Sequence, residues 1–161
     1  MKRLIAIAFL VYCAFLVEFV LYNAFGIWGK PELVVLVIVF CNLYWGIRFS
    51  IWAAFVAGLL KGAFSIEPFG TYLLVYIVAA YLTTFVRQNI YQRGSRFSRA
   101  VVTCFVLMGI FIMELLLHMR LFPVRLLEAI GYILVPQMAL SMLAATLIFH
   151  HLRNIVLKLK L

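Results

Sequence analysis

The sequence predicts an all-α polytopic membrane protein with six transmembrane helices and both termini in the cytoplasm. Three observations predict it: the apolar content, six runs of membrane-spanning length, and an uneven sharing of basic residues between their connections. Hydrophobic residues fill 68% of the 161 positions and charged residues only 12%, against roughly 45–50% and 25% in soluble domains. A soluble fold of this length exposes too much surface to hide that much apolar material. One membrane domain, 1–161, accounts for the chain.

A helix crossing the ~30 Å hydrocarbon layer needs roughly 20 apolar residues. Runs at 4–25, 31–47, 50–64, 70–86, 100–119 and 126–149 qualify, two of them marginally, and the third is the shortest. The first begins like a signal peptide but stays apolar to Phe25 without a small-residue cleavage site, and reads as an uncleaved span. Gly26–Lys30, Gly46–Phe49 and Phe64–Pro68 supply turn residues. The stretch RQNIYQRGSRFSR, 87–99, is the one polar loop of any length. Pro136 stands inside the last run, where a proline predicts a kink.

Six spans place both termini on one face. That face collects Lys2, Arg3, Arg48, Arg87, Arg93, Arg96, Arg99, Arg153, Lys158 and Lys160, ten of the fourteen Lys and Arg residues. The positive-inside rule makes it cytoplasmic. Lys30, Lys61, Arg120 and Arg125 fall on the other side, as do Glu32, Glu67 and Glu128. The formal charge of +9 is therefore a topology signal, with no nucleic-acid surface in it, because no basic run is interleaved with aromatics for base stacking. The basic loop, with Arg87, Arg93, Arg96 and Arg99, is attracted to anionic lipid by about 1 kcal/mol per residue near the surface. Docking of a cytoplasmic partner is the other reading of the same face.

Two acids, Glu18 and Glu114, sit inside apolar runs, and an intramembrane ionisable residue is a functional candidate by default. At 1.5 Å per residue both lie roughly 21 Å from the cytoplasmic ends of their spans, and Lys61 lies roughly 16 Å from its own. The three occupy nearly one layer. A buried lysine is best tolerated beside a carboxylate, so Lys61 is expected to pair with Glu18 or Glu114. Such a pair fixes helix register or serves transport or a proton relay, and snorkelling to the outer interface is the remaining possibility.

The third run carries small residues every fourth position, Ser50, Ala54, Gly58 and Gly62, a stripe along which another backbone approaches closely. Its partner is one of the protein's own helices or another chain, a second copy of this one included.

Hydrolase chemistry is not supported, and a membrane enzyme with Glu18 or Glu114 as acid/base, a third functional reading, lacks a nucleophile and a metal site. There is no G-x-S-x-G elbow, H-E-x-x-H, P-loop or glycine-rich dinucleotide turn. Cys13, Cys41 and Cys104 stand in separate runs and read as small buried hydrophobes. His118 and the adjacent His150 and His151 fall at opposite ends of their spans, so no metal site is expected. No cofactor is predicted.

The order of features then becomes informative. Pro31-Glu32-Leu33 opens the second run, Arg48 sits at a tight inner turn, and Gly58-Leu59-Leu60 precedes Ser65, Pro68, Phe69 and Gly70. This resembles the rod shape-determining MreD family, whose pattern runs P-[DE]-L, a long apolar helix, an Arg-containing turn, then G-L-L-x-D-x-x-S-x-x-P-x-G. The match covers 31 to about 81. The chain departs from it in having Lys61 and Gly62 where the family carries an aspartate.

The resemblance implies a non-enzymatic scaffold in the bacterial cytoplasmic (inner) membrane, supporting cell shape and peptidoglycan synthesis. It implies MreC as direct partner, with RodA, its penicillin-binding transpeptidase and the actin-like MreB in the same complex. It implies a fold similar to the substrate-binding subunits of energy-coupling-factor vitamin transporters, and an outer rim shaped by Pro31, Glu32, Ser65, Pro68, Phe69 and Gly70. A second function class follows from that fold, a vitamin-like small-molecule binding subunit of a transporter. Against it, those subunits dock their coupling protein through an Ala-xxx-Ala face on the first helix, which Ala6, Ala8 and Ala14 do not form.

Overall fold

The computed structural model describes residues 2–26, 31–65, 68, 70–90, 96–121 and 135–159. Its described residues form six α-helices: α1 (Lys2–Phe25), α2 (Leu33–Trp45), α3 (Ile47–Ala63), α4 (Thr71–Ile90), α5 (Arg96–Leu121) and α6 (Val135–Leu159). The protein is all-helical over that extent.

α2 is the axis of the arrangement. Its sequence, LVVLVIVFCNLYW, has almost no polar face, and a helix apolar all round belongs inside. Every residue from Leu33 to Leu43 is buried, and α1, α3, α4, α5 and α6 all pack against it. Thirteen residues extend roughly 20 Å, so this helix is shorter than a bilayer core and is enclosed by its neighbours.

α1 is the opposite case. It is equally apolar, yet Ile5, Phe9 and Val20 are each more than 60% exposed. An apolar helix with an apolar exposed surface is what a span facing lipid requires. The segments Arg3–Ala24 of α1 and Phe97–Glu114 of α5 are long and apolar enough to cross a membrane.

The small-residue stripe of α3 faces the protein's own interior, with Ser50, Ala54, Gly58 and Gly62 all buried. The Ser50 hydroxyl donates to the Ile38 carbonyl of α2 at 3.1 Å. At Gly58 the α4 backbone comes so close that an added Cβ would lie 2.5 Å from the Leu73 Cα. Glycine is required there because backbone, not a movable side-chain tip, is the obstacle.

Several boundaries differ from those expected. The turn after α2 shrinks from 46–49 to Gly46 alone, whose φ of +93° reverses the chain in a region that favours glycine, and Arg48 joins the first turn of α3. The polar stretch 87–99 is no continuous loop: α4 runs on to Ile90 and α5 starts at Arg96. Arg and Gln are good helix formers, and the Arg87 guanidinium stays on α4 by donating to the Asn42 carbonyl at 2.7 Å. The described part of α6 begins at Val135, so Pro136 stands in its first described turn. The expected beginning of the sixth span, 126–134, lies outside the described residues.

Replacing Gly58 by alanine is expected to destabilise the protein by about 1–3 kcal/mol through overpacking. Gly109→Ala is expected to cost less, since its Cβ would meet only the end of the Leu82 side chain. Thermal unfolding of the two purified variants in one detergent checks the order.

Candidate functional site

α1, α2, α3 and α6 converge on one buried charge cluster. Lys61 comes from the last turn of α3, where it continues the buried face of Ala54 and Ala57. Its ammonium lies 3.1 Å from Glu18 Oε1 and 3.0 Å from Glu32 Oε2. All three side chains are at most 10% exposed.

Burying charges is tolerable only if the remaining lone pairs and protons are also satisfied. Here each carboxylate oxygen has a donor. Glu18 Oε2 accepts the backbone N–H of Val34 at 3.4 Å, and Glu32 Oε1 accepts the Gln137 side-chain amide at 2.9 Å. Val34 stands in the first turn of α2, whose N–H groups have no partner within the helix. Glu18 therefore caps α2 from the neighbouring helix, and the positive end of the α2 dipole favours its charge. Glu32, the residue preceding α2, donates its own N–H to the Ser141 hydroxyl of α6 at 3.0 Å.

Aromatic faces complete the ammonium's surroundings. The Lys61 nitrogen lies 5.1 Å from the ring centre of Tyr72 and 5.4 Å from that of Tyr76, within cation–π range. Both tyrosines belong to α4, one turn apart, so a fifth helix contributes to holding the charge.

Of the expected trio, the structure brings Lys61 and Glu18 into contact and adds Glu32. Glu32 had been expected on an outer rim; it is 4% exposed instead. The reason is its place just before α2, whose burial carries its preceding residues inward. Glu114 of α5 lies across a cavity of about 20 Å³ that it lines together with Glu32, Gln137, Ser141, Leu107, Ile110, Phe111 and Met138.

The remaining motif positions separate. Pro31 is buried, Ser65 and Gly70 are partly buried, and Pro68 is exposed; Phe69 lies outside the described residues. Gly70 has φ +104°, a conformation that favours glycine, and its carbonyl starts α4 by accepting the Leu74 N–H at 2.9 Å.

Of the basic face, Arg87 and Arg99 gather at the far end of α2, where Arg99 donates to the Tyr44 hydroxyl at 3.2 Å. Arg93 and the Arg96 side chain lie outside the described residues. Beside them, the buried Asn42 amide donates to the Ala80 carbonyl at 2.9 Å and to the Thr84 hydroxyl at 2.8 Å. Asn42, Gln137 and Ser141 escaped sequence reasoning. Asn42 is a lone polar residue in an apolar run, which was the available signal; the other two have no distinguishing pattern around them.

Among the described residues no group of His, Cys, Asp and Glu is arranged to hold a metal ion. What the cluster does chemically is neutralise and orient: it ties the starts of α2 and α6 to the end of α3 and the middle of α1.

The sequence model of the family described as rod shape-determining protein MreD matches residues 1–158. The chain belongs to the MreD family. MreD proteins are membrane proteins of rod-shape determination, and the buried cluster of this MreD-family chain grows from the motif residues Pro31-Glu32-Leu33 and Gly58-Leu59-Leu60-Lys61. No curated protein and no solved structure gives a significant match to it.

Lys61→Met alone strands two buried carboxylates and is expected to cost about 3–5 kcal/mol. The triple variant Lys61→Met, Glu18→Gln, Glu32→Gln removes all three charges and is expected to recover part of that loss. Unfolding midpoints of the two variants give the comparison, and a triple variant as unstable as the single would show that charge matching is not what holds the site.

Proposed function

We propose that the protein is a non-enzymatic scaffold of the cell-shape machinery, a six-span subunit of the bacterial cytoplasmic membrane with both termini inside. The observation that carries this is the family match over 1–158. It binds MreC directly and supports peptidoglycan synthesis by RodA and its penicillin-binding transpeptidase, with MreB on the cytoplasmic side. The charge cluster serves as an internal brace, keeping four helices in register so that their outward faces present a fixed surface. In support of a scaffold, exposed side chains along α1, including Phe9, Leu16 and Val20, are apolar and suit lipid or a partner helix. The basic residues Arg87, Arg93, Arg96 and Arg99 add adhesion to anionic lipid.

Expression in rod-shaped cells depleted of their own MreD-family protein is expected to restore rods, scored by cell width. A tagged copy is expected to recover a single-span coiled-coil protein of the MreC type and a penicillin-binding transpeptidase from native membranes. Rounded cells together with a copurifying vitamin or an ATPase pair would overturn the scaffold and favour a transporter subunit.

A further inference from the structure

The end of α2 opposite the Lys61 cluster gathers positive charge. Arg87 comes from the last turn of α4 and Arg99 from the first turn of α5. Their guanidinium groups donate to the Asn42 carbonyl at 2.7 Å and the Tyr44 hydroxyl at 3.2 Å, both in the last turn of α2. One helix end thus tethers both arginines, and both stay partly buried. Arg48, exposed in the first turn of α3 just past Gly46, adds a third positive charge to this end.

Both acceptors are neutral, so the charge is held without being matched. A guanidinium has five N–H donors and is always charged, and the negative end of the α2 dipole amounts to roughly half a charge. The acids of the chain do not supply the rest. Of the five, Glu18 and Glu32 are bound to Lys61 at the other end of α2. Glu114 stands fifteen residues along α5 from Arg99, roughly 22 Å away, while Glu67 and Glu128 lie outside the described residues. Among the described residues, no carboxylate faces these arginines.

An anion from outside the chain fits what is left over. Planar guanidinium forks favour an oxoanion that accepts two parallel bonds, as phosphate does. The surroundings select its source: Phe85 and Phe97, each two residues from one of the arginines, are 64% and 79% exposed. Apolar surface and charge therefore stand at one level, as acyl chains and headgroup do in a phospholipid. We infer that Arg87 and Arg99, at the end of α2, bind the phosphate of one anionic phospholipid, with Arg48 adding to the attraction. The site makes the adhesion proposed above a lipid held in a fixed place, and it rests on that reading for its membrane setting. The phosphate joins α4 to α5 beside the end of α2.

Native mass spectrometry of the full-length protein, released from micelles holding phosphatidylglycerol and phosphatidylcholine with the same acyl chains, tests this. One phosphatidylglycerol is expected to stay bound, preferred about ten-fold over phosphatidylcholine. The double variant Arg87→Gln, Arg99→Gln is expected to lose the preference. Lys158→Gln, Lys160→Gln removes as much charge from the C-terminal tail and is expected to keep it. Equal retention of the two lipids by the unaltered protein would overturn the proposal, as would a tail variant that loses the preference as fully as the arginine variant. Glycerol 3-phosphate, which has the charge without the chains, is expected not to displace the lipid; displacement would make the ligand a free phosphate and overturn the lipid. If the arginine variant does not fold, the unaltered protein and the tail variant decide. A negative result leaves the scaffold standing, because cell width and copurification are read separately.

Discussion

A lysine ammonium cut off from water must find its solvation in the protein, and the arrangement around Lys61 is organised by that requirement. One carboxylate would neutralise the charge but leave the other ammonium protons facing hydrocarbon. Two carboxylates at 3.0 and 3.1 Å and two tyrosine faces surround it instead, and they come from α1, the residue before α2, and α4. Because these partners are far apart in sequence, the charge can be accommodated only when the helices have reached their final registers. The interaction is thus less a source of stability than a condition on geometry.

The same logic explains why the carboxylates are themselves held. Glu18 takes an N–H from the start of α2 and Glu32 an amide from α6, so the neighbouring helices are fixed by the acids as much as the acids are fixed by Lys61. At the other end of α2, Asn42, Arg87 and Arg99 tie α2 to α4 and α5. α2, too short to span hydrocarbon on its own, is clamped at both ends by polar contacts and along its length by apolar ones. A shape-determining membrane subunit whose centre is braced in this way can present its outer helices as a constant surface.

Glycine plays the complementary part. Close backbone approach at Gly58 lets α3 and α4 pack tightly, and that contact is what brings Tyr72 and Tyr76 over the Lys61 ammonium. A bulkier residue at 58 would separate the two helices at the level where the charge needs its aromatic cover.

Composition and periodicity by themselves determined that the chain is helical and apolar enough for a membrane, that α3 carries a packing stripe, and that Lys61 and Glu18 sit at similar depth. Those properties are local, written in runs and spacings along one helix. Local order also carried the family motif, because its residues are contiguous. Tertiary structure alone decided that Glu32 turns inward, that Gln137 and Ser141 meet it from more than a hundred residues away, and that Glu114 faces a cavity. The physical reason is that a polar residue beside an apolar helix is compatible with either the rim or the interior. Only the packing of α3 and α6 against α2 supplies the partners, Lys61, Gln137 and Ser141, that make the interior affordable.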